Sequence, residues 1–182
     1  ERKAGIAMWN GPTWPYANSL IAEAMANLIR HHTQKAVTAE VLCAFIGSFA
    51  RLMYEEGDTG SPMVREVYDG ETGEGYGCPD YFHSSFNDLI VRFMCGVVPV
   101  DEREFVVDPL CEGWTHFRLE NLPYHRHRVS IIYEARPGGK AYKDVEPGLT
   151  VMVDGRVVAH ENRLEPIVVS LPRGEGPLRR PG

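Results

Sequence analysis

Apolar residues in the first fifty positions recur three and four apart, the period of one helix face. From Ala17 the set Leu20, Ile21, Ala24, Met25, Leu28 and Ile29 predicts a helix that ends near His31 or His32, whose cation-capable side chains suit a C-terminus. Ahead of it, WNGPTWPY (Trp9 to Tyr16) is a rigid lead-in whose second proline sits just inside the helix start. Thr38 then caps a second helix with the stripe Val41, Leu42, Phe45, Ile46, Phe49, Leu52 and Met53. The short connection between them predicts an antiparallel helical hairpin. A third helix opens at Ser84 or Ser85 and turns Phe86, Leu89, Ile90, Phe93 and Met94 inward.

After Pro99 the period changes from helical to extended. EFVVD, THFRLENL, RVSIIYEA, LTVMVDGRVVAH and PIVVSL are short runs rich in Val, Ile, Thr and aromatics, separated by Pro and Gly clusters. VMVDGRVVA reads as a hairpin on a two-residue Asp-Gly turn, and the nearly continuous apolar RVSIIYEA reads as a central strand. The expected fold class is therefore α+β. Helical hairpins span residues 1–98, a small antiparallel β-sandwich spans 99–172, and a polar Gly/Pro tail spans 173–182.

Composition fits a folded domain, with 43% hydrophobic and 24% charged residues. A net charge of −6 leaves no electrostatic footprint for nucleic acid, and the short basic pieces HRHR and LRRPG are too small to make one. No apolar run approaches the roughly 20 residues of a membrane helix. Cys43, Cys78, Cys95 and Cys111 show neither CxxC nor zinc spacing, and buried thiols are their ordinary reading. Compartment stays open. The opening ERKAGIA, without an initiator Met, reads as the middle of a longer protein.

The chemistry concentrates in VREVYDGETGEGYGCPDYFHSSFNDLIV, Val64 to Val91. Tyr68, Tyr76, Tyr81 and Phe82 offer flat faces of the kind sugar rings stack on, while Glu66, Asp69, Asp80 and His83 add acids, bases and hydrogen-bond acceptors. A Gly-rich loop of this length inside a compact domain is usually functional or disordered. Plainer readings stand beside the functional ones. Glu66 is a solvated loop carboxylate, with Glu71 and Glu74 as rivals; Trp9 and Trp14 are core anchors; His83 caps a helix or bonds a buried carbonyl. His125 and His127 would share a strand face, but no third metal ligand is evident, so neither metal nor cofactor is expected.

WNGPTWPYANSL, REVYDGETGEGYG and DYFHSSFNDLIV, followed by VVDPL, LENLPYHRHRVSIIY and GLTVMVDGRVV, resemble the C-terminal portion of a six-hairpin glycosidase. The resemblance is to the mannosylglycerate-hydrolase-like and glycoside hydrolase family 63-like group, and it runs from Trp9 to about Val158. It implies an α/α toroid followed by a bracing β-sandwich, and hydrolysis of a glycosidic bond with inversion. It also implies that Glu66 is the general base, that Trp9, Gly11, Pro12 and Trp14 line the subsite of the scissile sugar, and that Tyr81, His83 and Ser84 form the turn before the last helix; Asn10 and Tyr68 are further candidates for binding the substrate. Val67 departs from the polar residue often found after the base. The general acid, an Asp in this group, would lie upstream of residue 1, so the remainder of the toroid is an expected partner alongside the carbohydrate substrate.

Inversion needs a protonated carboxyl at the leaving oxygen and a second carboxylate, about 6.5–9.5 Å away, that activates water. Tyr68 and Trp14 would raise the basicity of Glu66 by partial desolvation, and Arg65 would temper it. Two other readings remain open at this point. One is a disaccharide phosphorylase of the same architecture, with phosphate in place of the activated water. The other is a carbohydrate-binding or bracing module without catalysis. An incomplete toroid would also leave apolar helix faces uncovered, so the chain alone is expected to be inactive or poorly soluble.

Overall fold

The computed structural model describes residues 11–135, 141–142 and 145–173. Its class is α+β, and the chain divides into two compact units at Ile90/Val91.

In the first unit, α1 (Pro15–His31) begins with proline in its first turn and ends with Arg30 and His31 in its last. Both features suit the unsatisfied amides and carbonyls at a helix's two ends. Thr38 caps α2 (Ala39–Arg51), its hydroxyl accepting from the Val41 N–H at 3.3 Å. The α2 stripe buries Leu42, Ile46 and Phe49 as its period predicts. On α1 the buried positions are instead Pro15, Ser19, Ala22 and Ala26. Its large side chains Leu20, Ile21 and Leu28 are exposed, at 50%, 48% and 38%. The helix thus meets its described neighbours through small residues, which allow close approach, and turns its bulkier apolar stripe away from them.

The third helix is short, α3 (Ser85–Leu89), and runs on into a π-helical turn at Ile90–Met94. Ser84 makes no side-chain cap bond; the Ser85 hydroxyl shares a 2.9 Å hydrogen bond with Ser19, tying α3 to α1. Phe86 meets Phe49 edge-on, with ring centres 5.1 Å apart, and ties α3 to α2.

The Gly-rich stretch expected to be an irregular loop contains an antiparallel ribbon of β1 (Arg65–Tyr68) and β2 (Gly75–Pro79). Its glycines hid the strands, because Gly is depleted in strands and the run is too short to show alternation. Val67 and Tyr68 bury one end of the ribbon in the core.

The second unit holds two antiparallel sheets. β3 (Val97–Pro99), β4 (Glu104–Val107) and β9 (Ile167–Ser170) make one, with β4 central. β5 (His116–Tyr124), β6 (His127–Glu134), β7 (Gly148–Val153) and β8 (Arg156–Glu161) make the other, in sequence order. RVSIIYEA is an inner strand as read, and Asp154-Gly155 turns β7 into β8 with both residues at positive φ, 51° and 78°. Phe105, Val107 and Val169 bury one face of the first sheet, and Val129, Ile131, Leu149 and Val151 bury one face of the second. His125 and His127 do not share a strand face: His125 lies in the β5–β6 turn at φ 40°, and His127 opens β6.

Candidate active site

Glu66 is half-buried on β1, at the point where the register with β2 shifts. Such a bulge re-aims a side chain out of the regular alternation. The Cys78 N–H donates to Glu66 Oε2 at 3.2 Å, so one carboxylate oxygen is fixed to the backbone of the opposite strand. Gly77 makes this approach possible. It sits at φ +81°, and a Cβ there would lie 2.7 Å from Glu66 Oε2.

Two contacts strap the start of β1 to the turn before α3. The Tyr81 N–H donates to the Val64 carbonyl at 3.2 Å, and His83 Nε2 lies 2.9 Å from the Arg65 carbonyl oxygen. A carbonyl only accepts, so Nε2 carries the proton. The ring therefore holds the peptide group that joins Arg65 to Glu66. Tyr81 packs against it with ring centres 5.1 Å apart, and Tyr81 and Phe82 are exposed at 43% and 89%.

At its other end the ribbon meets the lead-in to α1. Thr13 and Tyr68 exchange both backbone bonds, at 2.7 and 3.0 Å. Trp14, the next residue along, is the N-cap of α1 and is half-buried; Gly11 is exposed. Trp9 and Asn10 lie outside the described residues.

Tyr68 occupies a different setting from the other rings. It is 1% exposed, its hydroxyl accepts from the Arg65 N–H at 2.9 Å, and burial raises its pKa. It braces the ribbon from the core side, and the open aromatic faces belong to Tyr81 and Phe82. Asp69 shapes the β1–β2 turn, its Oδ1 accepting from the N–H groups of Glu71 and Thr72 at 2.8 Å each. The rival carboxylates Glu71 and Glu74 are exposed.

Two cavities flank the ribbon. One, of about 380 Å³, is lined by Tyr54, Glu55, Arg65, Tyr68 and Glu74 among others. A second, of about 500 Å³, lies among Thr13, Asn18, Phe45, Phe49 and Asp69. Glu66 is on the wall of neither. Among the described residues, no group of three His, Cys, Asp or Glu side chains is arranged to hold a metal ion.

Sequence reading singled out Glu66 and His83 as candidates but not the Cys78 amide or the need for Gly77. The signal for both was the GYGC run, whose glycine is required by a partner twelve residues earlier in the chain.

Residues 5–84, which include this ribbon, match the family model of the Mannosylglycerate hydrolase MGH1-like glycoside hydrolase domain. This part of the chain is glycoside-hydrolase-like. A solved structure titled Sialidase superposes on 92% of the chain with a TM-score of 0.79 at 28% sequence identity. The chain spans 16% of the length of that structure. None of the curated proteins compared matches the chain. The superposition takes in strands as well as helices, and the family match takes in β1, β2 and the Tyr81–His83 turn.

Proposed function

We propose that this chain is part of an inverting O-glycosidase of the family 63-like group, with Glu66 as the general base that activates water. The observation that carries the reading is the setting of Glu66. One carboxylate oxygen is tied to the Cys78 amide, and the peptide group before it is held by His83. A base must be fixed in direction to take a proton from an oriented water, and a carboxylate with one oxygen bound leaves the other for that water. Trp14, Tyr81 and His83 supply contacts to the sugar, with Trp9, Asn10 and Gly11 in the lead-in, and Tyr68 contributes from behind the ribbon. No cofactor takes part.

In this reading the helices belong to an α/α toroid, and the two sheets of the second unit form a β-sandwich. Upstream hairpins of the same toroid cover Leu20, Ile21 and Leu28 and bring the acid, about 6.5–9.5 Å from Glu66. The family match over residues 5–84 supports a glycosidase against a purely bracing module.

The test is Glu66→Gln in the full-length protein. The expected result is a fall in kcat of about 10²–10⁴-fold with glycan affinity retained, the range for loss of general acid–base catalysis. Anomer-resolved NMR of the first product formed should show inverted configuration. Unchanged turnover, a retained anomer, or product formation that depends on inorganic phosphate would each sink the proposal.

A further inference from the structure

The second unit contains a cavity that the carbohydrate reading leaves unused. Its volume is about 240 Å³, and its polar wall is made by Glu102, Arg103, His125, His127 and Arg173. His127 is 5% exposed, and its Nδ1–H donates to Asp154 Oδ2 at 2.6 Å. Nε2 makes no hydrogen bond among the described residues, so the ring's other edge is the one left for the cavity.

The ring is held in place from behind. Asp154 sits in the β7–β8 turn, accepts from the Arg128 N–H at 2.9 Å through Oδ1, and donates its own N–H to the Arg128 carbonyl at 2.8 Å. An Asp locked this way fixes the imidazole's tautomer and orientation. His125 and Arg126 occupy φ 40° and 72°, where a two-residue hairpin turn normally carries Asn-Gly. Tyr124 steadies that turn, with its ring 5.0 Å from Phe105 and its hydroxyl donating to the Asp101 and Glu104 carbonyls at 3.3 Å each. Non-glycine residues held at positive φ concentrate where a site needs their side chains.

The charges decide what such a cavity holds. Arg103 and Arg173 are permanent cations, and His127, its proton held on Nδ1 by Asp154, presents Nε2 as an acceptor. Among the described residues, Glu102 is the one carboxylate on the wall. Asp101 is engaged nearby, its Oδ1 accepting from the Arg103 and Glu104 N–H groups at 2.7 and 2.8 Å. Two guanidinium groups oppose a metal ion, and the described residues offer no three-ligand set for one. The same groups match the planar or tetrahedral oxygens of an anion, which guanidinium groups bind through paired hydrogen bonds. The chain as a whole carries −6, which discourages indiscriminate anion binding.

We infer that this cavity binds a small hydroxylated oxyanion, its carboxylate or phosphate group taken by Arg103 and Arg173 and its hydroxyl donating to Glu102 or to His127 Nε2. The cavity is lined by residues of the second unit that the catalytic proposal does not use, so the inference does not depend on that proposal.

The experiment is calorimetric titration of the full chain with inorganic phosphate, with glucuronate and with zinc chloride, alongside Arg173→Gln, Arg103→Gln and His127→Gln. Saturable one-to-one binding of phosphate or glucuronate is expected, weakened tenfold or more by either arginine change. Preference between the two separates a phosphate ligand from a carboxylate one. Melting curves identify any variant that fails to fold; Arg173, exposed at the surface, keeps the test decisive if His127→Gln unfolds. Absence of saturable anion binding, anion binding indifferent to both arginine changes, or zinc binding without anion binding would overturn the inference.

Discussion

Gly77 and Glu66 act as one unit at the residue scale. Replacing Gly77 with Ala puts a Cβ against the Glu66 carboxylate at a backbone angle that L-residues adopt only at a cost of about 1–2 kcal/mol. The expected outcome is a lower melting temperature together with, on the proposed role of Glu66, a fall in the glycosidase kcat of the full-length protein, measured on the same preparation. Asp154 gives a pH signature. Burial works to raise its pKa, but the Arg128 N–H and His127 outweigh that and hold it below the ordinary 3.8. A carboxylate with a depressed folded pKa contributes stability that is present above its unfolded pKa and lost as pH falls through the folded one. Denaturant melts should therefore show Asp154→Asn less stable than the parent at neutral pH, with the difference shrinking below about pH 4.

At the scale of elements, capping and burial set the expected effects. Thr38→Ala removes the side-chain acceptor for the Val41 N–H and should cost about 0.5–1 kcal/mol, the low end for an exposed cap, read from urea melts. The cysteines report on the elements that carry them. Cys78 is exposed on β2, whereas Cys95 and Cys111 are buried and burial pushes the Cys95 thiol up to about 11. A thiol reagent should label Cys78 quickly, and Cys95 and Cys111 only on unfolding. Helices α1 and α2 were legible because each repeats its period over several turns, and strands β4 to β9 because their runs are rich in β-branched and aromatic residues between Gly and Pro breaks. β1, β2 and β3 were not. β2 and β3 carry glycine or proline, β1 opens on two charged residues, and their pairing partners rather than their own side chains make them strands.

For the whole molecule, the apolar surface of α1 sets the expected solution behaviour. Tyr16, Leu20 and Ile21 are exposed at 56%, 50% and 48% on one helix, a concentration of the kind that drives association. Light scattering behind a sizing column should find the isolated chain self-associated, and Leu20→Gln with Ile21→Gln should shift it toward monomer. No helix among the described residues is long and apolar enough to cross a membrane.

Local pattern by itself determined the α+β class, the helix ends at Pro15 and His31, the Thr38 cap, the Asp154-Gly155 turn and the carboxylate-rich stretch around Glu66. These depend on neighbours within a few residues, which a chain carries in its own order. Tertiary structure alone decided which face of α1 is buried, that Glu66 is tied to the Cys78 amide, that His83 holds the Arg65 carbonyl and that His127 leans on Asp154. Each of these joins groups twelve or more residues apart, or depends on what packs against a face, and no periodicity in the chain encodes that.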